Sequence, residues 1–97
     1  MRTFRIEYLT GYIELYTDKF FPCNQALARK IFHLVKKYCD YEQWKDLLQA
    51  MIDRERTLVT EGIDLEAGGD ERALKLKNRE IEQMRSNQLN FVKVITR

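Results

Sequence analysis

The sequence predicts a small α+β fold in the order β-β-α-α-α-β, with an antiparallel sheet and a three-helix layer that includes a helical hairpin. Three observations support this order. Apolar and polar residues alternate near the amino end, apolar residues recur at helical spacing through the middle, and the tail is β-branched and aromatic. The 97 residues are 44% hydrophobic, which is ordinary for a globular protein. Their number suits a single domain spanning residues 1–97.

The amino end predicts a β-hairpin over residues 2–17. Thr10-Gly11 separates two alternating segments and is a plausible two-residue turn. This turn places Ile6 opposite Leu15, so that one face is apolar throughout. Because side chains alternate with period two, a slip of one residue would scramble the two faces.

Three helices follow, each with a good N-cap residue at its start. Asn24 precedes the first helix, and Asp70 precedes the third. Asp40 and Gln43 together predict a capping box for the second helix, for which Gly62 is the expected C-terminal stop. The predicted ranges are about 25–39, 41–61 and 71–87.

The tail from 89 to 96 (LNFVKVIT) contains no Gly or Pro and is rich in β-branched and aromatic residues. These residue types are enriched in strands. The tail is therefore predicted to form a third strand that returns to the hairpin.

The second and third helices are expected to pack antiparallel, because a short loop centred near residue 66 joins them. That register places Glu55 opposite Lys77, each within an otherwise apolar stripe. A lone charge buried there would be costly, so we expect an ion pair that fixes the register. A functional carboxylate at Glu55 and simple solvent exposure are the alternatives.

Charge is segregated along the chain. Residues 19–39 carry +5 with no acid, residues 40–71 carry −7, and residues 72–97 carry +5. The simplest explanation is that the acidic second helix neutralises two basic neighbours. The alternatives are an exposed basic face for phosphates or an acidic protein, and an acidic strip that mimics a phosphate backbone. The basic face would contain Arg29, Lys30, Lys36 and Lys37, and the strip Glu42, Asp46 and Asp53.

The second face of the sheet is predicted to carry Leu9, Tyr12 and Tyr16. The last strand would extend this face, and a contiguous apolar patch of that size is rarely left unused. Three explanations compete: the chain itself covers the face, a partner protein or second copy binds it, or it stacks single-stranded bases beside Arg5. The tail residues expected to join it are Phe91 and Ile95, or Val92 and Val94.

Catalytic machinery is not evident in the sequence. Cys23 and Cys39 are expected to be reduced, and His33 is ten residues from Cys23, roughly 15 Å along one helix. No Gly-rich phosphate loop or serine nucleophile motif is found, and one His with two Cys does not complete a zinc site. We therefore expect no catalytic residue, metal or cofactor. Without a secretory signal or membrane span, we expect a cytoplasmic location.

Residues 11–25 (GYIELYTDKFFPCNQ), followed by a basic helix, resemble short uncharacterised accessory proteins of Gram-positive mobile elements or phages. The resemblance covers the first 40 residues and includes no catalytic or metal motif. It implies a small accessory product, a class that includes regulators and inhibitors of host defence such as anti-CRISPR proteins.

These observations predict a non-enzymatic binding protein that blocks or modulates a partner macromolecule by occluding its surface. The partner is expected to be a protein, with a nucleic-acid-processing effector as one candidate and a second copy as another. A small nucleic-acid-binding accessory protein is the alternative function. The expected anchors are Leu9, Tyr12 and Tyr16, with Arg29, Lys36 and Lys37 providing electrostatic steering.

Overall fold

The computed structural model describes residues 3–97 and has an α+β fold, as predicted: a two-stranded antiparallel sheet followed by four helices. The first five predicted elements, two strands and three long helices, are present, and a short helix lies in the expected connection after the hairpin. The elements are β1 (Thr3–Tyr8), β2 (Gly11–Tyr16), α1 (Thr17–Phe20), α2 (Gln25–Tyr38), α3 (Tyr41–Ala67) and α4 (Glu71–Ile95).

The hairpin is present, but its register differs from the predicted one by two residues. Ile6 pairs with Ile13 instead of Leu15, so the turn is Leu9-Thr10. The backbone takes a positive φ of 153° at Gly11, directly after the turn, and glycine adopts this conformation without a steric penalty. Because the shift is two residues, the side chains within the strands keep their predicted faces, while Leu9 moves into the turn.

The N-caps of the three long helices are confirmed. The Asn24 side chain accepts a hydrogen bond from the Leu27 backbone N–H at 2.9 Å, and the Asp70 side chain caps α4. Asp40 and Gln43 form the predicted capping box, in which each side chain accepts a hydrogen bond from the other residue's backbone N–H. These local interactions fix where each helix begins.

The end of the second long helix is not where the sequence suggested. Gly62 lies buried within α3, and the helix continues to Ala67. The stop is Gly69, whose φ of +75° is left-handed. The Gly69 and Asp70 N–H groups donate to the Glu66 and Leu65 carbonyls, which is the Schellman arrangement.

Two glycine substitutions test this assignment. Gly62→Ala should raise the free energy of unfolding by about 0.5–1 kcal/mol, because it removes backbone entropy from the unfolded chain within a helix. A Cβ at Gly62 would lie 3.6 Å from Lys77 Cγ, an ordinary contact. Gly69→Ala should instead lower stability by about 1 kcal/mol, since alanine is strained at positive φ. Denaturant titration measures both, and a stabilising Gly69→Ala would contradict the assignment.

The predicted final strand is wrong, because the tail continues α4 as far as Ile95. Met84, Phe91 and Val94 are buried at helical spacing along one side of α4. Burial of that face outweighs the modest strand preference of the β-branched residues. The sheet therefore has only two strands in the part of the chain that the structure describes.

The core lies between the inner face of the hairpin and the helices, and α4 packs against both α2 and α3. Phe32 of α2 and Phe91 of α4 are fully buried, with ring centroids 5.0 Å apart. Asn87 of α4 is also fully buried. Its side chain accepts from the Cys23 backbone N–H at 3.2 Å and donates to the Cys23 carbonyl at 3.1 Å. These two bonds tie the segment before α2 to α4.

The predicted Glu55–Lys77 ion pair is wrong. Lys77 Nζ lies 2.6 Å from Glu61 Oε2, whereas Glu55 Oε1 contacts Arg85 at 3.5 Å and Gln88 at 3.2 Å. The extension of α3 moves the turn beyond residue 66, so the residues that face one another along the helical hairpin change. The hydrogen bond to Glu61 raises the pKa of Lys77.

Candidate functional site

The outer face of the hairpin carries Tyr12 and Tyr16, as the alternation predicted, and Leu9 lies in the turn that joins the strands. Leu9 at the turn is fully exposed, and 55% of Tyr12 and 41% of Tyr16 are exposed. Arg5, Glu7 and Glu14 share the face with the tyrosines. The name outer hairpin face is used below for these three residues together with Leu9, Tyr12 and Tyr16. Because the tail is helical, it does not lie beside this face. Phe91 and Val94 are in the core instead, so the expected enlargement of the apolar patch is wrong.

Polar contacts within the outer hairpin face order its two tyrosine rings. The Arg5 guanidinium lies 4.2 Å from the centroid of the Tyr12 ring, and its nitrogens are 3.7 Å from Glu7 and Glu14 oxygens. Tyr16 Oη donates a hydrogen bond of 3.0 Å to Glu14 Oε2, and this bond raises the pKa of Tyr16. Exposed rings are thus surrounded by charged groups that pair with one another.

The solvent side of α2 carries the predicted basic residues. Arg29, Lys30 and Lys37 are exposed and Lys36 is half-buried, and none of the four forms an ion pair with an Asp or Glu side chain in 3–97. The Lys36 ammonium donates to the Arg97 carbonyl at 2.7 Å. Among the acids of α3, Glu55 and Glu61 pair with α4, and Glu42 pairs within α3. Acids of α3 therefore neutralise positive charge on α4, but the positive charge of α2 faces solvent.

The hairpin tip adjoins the carboxyl end of α2. The rings of Tyr8 and Tyr38 have centroids 5.3 Å apart, and Lys37 Nζ lies 5.3 Å from the Tyr38 ring. The exposed Leu9 follows Tyr8 directly. The predicted anchor Leu9 and the predicted steering residue Lys37 are therefore brought to one end of the molecule. Arg29 is eight residues back along α2, about 12 Å by helical rise.

A second feature was not found from the sequence. A pocket of about 120 Å³ lies between α2 and the last turns of α4, lined by Arg29, His33, Asn90, Lys93, Val94 and Arg97. Asn90 is only 7% exposed, and its side-chain nitrogen has no hydrogen-bond partner among the described residues. In the sequence, the only indication of this pocket is that residues 90, 93, 94 and 97 recur at helical spacing. Predicting a strand there concealed it.

The two cysteines are free, and neither has the environment of an activated thiol. Burial raises the pKa of Cys23 to about 11. Burial, with the nearby Asp40 carboxylate, also raises the pKa of Cys39. Both groups therefore disfavour the thiolate, which is the nucleophilic form.

The predicted acidic strip of α3 is partly engaged in contacts within its own helix. Glu42 lies 3.7 Å from Lys45, and Asp53 accepts a hydrogen bond of 2.9 Å from Gln49. Residues 3–97 contain no group of three or more His, Cys, Asp or Glu side chains that could hold a metal ion. None of the described helices is both long and apolar enough to span a bilayer.

No protein-family model matches the chain, and no curated protein or solved structure is similar to it.

Proposed function

We propose that the protein is a non-enzymatic binding protein that occludes the surface of a partner protein through the outer hairpin face. The observation that carries this proposal is the exposure of Tyr12 and Tyr16 on the uncovered face of the hairpin in the described chain, with the fully exposed Leu9 in the adjoining turn. Tyrosine is enriched in interfaces and among the residues that dominate binding energy, because an apolar ring carries a polar end.

The contacts within this face support the same function. Arg5 over the Tyr12 ring and Glu14 at the Tyr16 hydroxyl restrict the rings before any partner arrives. Side chains that are already ordered lose less conformational entropy on binding. The two tyrosines are therefore better anchors than freely rotating exposed side chains would be.

The charge of α2 favours a partner with an acidic surface. Arg29, Lys36 and Lys37 are not neutralised by acids of the described chain, so their field extends into solvent and accelerates encounter with an opposite charge. The resemblance to mobile-element accessory proteins adds inhibition of a host defence effector to this proposal. If that effector processes nucleic acid, its own nucleic-acid groove is cationic, so the occluded surface lies elsewhere on it.

Site-specific photocrosslinking in a bacterial host tests the proposal. A photoreactive amino acid at Tyr12 should crosslink to one defined partner, whereas the same probe at Leu76 should not. Leu76 is a matched control because it is also 55% exposed but lies on α4. Equal products at both positions, or none at Tyr12, would count against the outer hairpin face.

Nucleic-acid binding is the second candidate, and one observation favours it. Residues 19–39 and 83–97 contain no Asp or Glu. These two ranges include α2 and the last turns of α4, and the two helices pack against each other. Affinity for a nucleic-acid backbone falls log-linearly with salt concentration, whereas salt alters mainly the association rate of an aromatic-anchored protein interface. Fluorescence anisotropy of a labelled oligonucleotide across a salt series distinguishes the two functions.

A further inference from the structure

We propose that the pocket between α2 and the end of α4 binds a phosphate group, either inorganic phosphate or the terminal phosphate of a monoester. Three independent properties of the pocket carry this inference: its charge, its unmatched amide and its size. The pocket is separate from the outer hairpin face, so this proposal and the proposed function fail independently.

Both helices contribute positive charge to the pocket, and no Asp or Glu side chain lines it. Arg29 and His33 are four residues apart and therefore on one face of α2, while Lys93 and Arg97 are four apart at the end of α4. The last acid of α4 is Glu82, eight residues before Asn90 and about 12 Å away by helical rise. Guanidinium groups suit phosphate because their planar fork donates two parallel hydrogen bonds.

The Asn90 side chain points to a ligand that accepts hydrogen bonds. Its amide nitrogen is buried with no partner among the described residues, an arrangement that is costly and rare in folded proteins. Asn87, one turn earlier on the same helix, has both amide atoms hydrogen-bonded to the Cys23 backbone. Asn90 lines the pocket, so a rotation of its amide toward the pocket would let a phosphate oxygen supply the acceptor that it lacks.

The size of the pocket restricts the ligand to a small group. Its volume of about 120 Å³ is well below the roughly 300–1,000 Å³ of pockets for drug-sized molecules. It is equivalent to about four waters at ~30 Å³ each. A terminal phosphate fits this space, whereas a backbone diester would have to continue out of it on both sides of phosphorus.

Calorimetric titration of the whole protein with inorganic phosphate tests the proposal, with sodium chloride used to keep ionic strength constant. We expect saturable binding of one phosphate per chain, and at least tenfold weaker binding by Lys93→Gln. Lys75→Gln is the matched control: it removes the same charge from the same helix at an exposed residue about 27 Å away. Absence of saturable binding, or equal weakening by both variants, would overturn the proposal.

A second variant separates binding from folding. Asn90→Leu should abolish phosphate binding and raise the Tm of the phosphate-free protein by a few degrees, because it removes an unmatched buried amide. If Asn90→Leu retains phosphate affinity, the amide does not contact the ligand and the proposal is wrong.

Comparison of one oligonucleotide with and without a 5′-phosphate identifies the source of the phosphate group. Displacement of inorganic phosphate only by the phosphorylated form indicates a monoester. Displacement by neither form leaves inorganic phosphate as the ligand, and equal displacement by both contradicts terminal-phosphate recognition.

Discussion

Phe91→Ala is expected to lower the free energy of unfolding by about 3–5 kcal/mol, the range observed for truncation of a buried phenylalanine. Phe91 is fully buried, and its ring packs edge-on against Phe32. The substitution removes the ring contact between Phe91 of α4 and Phe32 of α2 and leaves a cavity that the surrounding helices can fill only partly. Denaturant titration with a two-state fit gives the change.

Neighbouring positions provide the control and also test the helical tail. Leu89 is 64% exposed and Val92 is 42% exposed, so Leu89→Ala should change stability by no more than about 0.5 kcal/mol, and Val92→Ala should have a small effect. Val94→Ala should be clearly destabilising, because Val94 is 6% exposed on the same side as Phe91. In a strand, residues 92 and 94 would share a face. Equal sensitivity at those two positions would contradict the helix.

Asn87→Ala is expected to cost about 2–4 kcal/mol. The variant leaves both the N–H and the carbonyl of Cys23 without the hydrogen bonds that Asn87 supplies, and each unsatisfied buried group costs about 1–3 kcal/mol. The segment before α2 would lose its direct hydrogen-bonded connection to α4. Thermal unfolding monitored by circular dichroism provides the measurement.

Asn78→Ala is the matched control for Asn87→Ala. Asn78 is exposed on the same helix, and alanine is the better helix former, so the control should be neutral or slightly stabilising. A similar loss of stability in both variants would mean that helix propensity, and not the bonds to Cys23, determines the effect.

Local signals were sufficient for the starts of the helices and for the two faces of the hairpin. A cap depends on residues within one turn, so Asn24, Asp40 and Asp70 could be identified directly. The outer hairpin face follows from alternation and is unchanged by a two-residue shift. The turn itself depends on the φ angle at Gly11, which residue spacing does not specify.

Long-range packing decided the features that the sequence analysis missed. The tail has residues suited to either a strand or a buried helix, and the partners of Phe91 and Val94 on other elements decide between them. The choice between Gly62 and Gly69 as the stop of α3 set the register of the helical hairpin and therefore the partners of Glu55 and Lys77. The proposed phosphate pocket joins residues of α2 and of the end of α4 that are more than fifty positions apart in the chain.

The sequence predicted those candidate binding residues whose exposure follows from the spacing of polar and apolar residues. Exposure of Tyr12 and of the α2 cations is readable from alternation and from the helical wheel. The Arg5–Tyr12 and Tyr16–Glu14 contacts depend on rotamers, and the lack of Asp or Glu partners for the α2 cations depends on how the helices pack. A single-domain organisation and a cytoplasmic location stay predictions.

The affinity of the Tyr12→Ala/Tyr16→Ala double variant for the crosslinked partner tests the central claim most directly. Each ring should contribute more than about 1.4 kcal/mol, a factor of ten, so we expect at least a hundredfold weaker binding measured by calorimetry. The double variant should remain folded, because both side chains are exposed. Wild-type affinity in a folded double variant would contradict the assignment of the outer hairpin face as the binding surface.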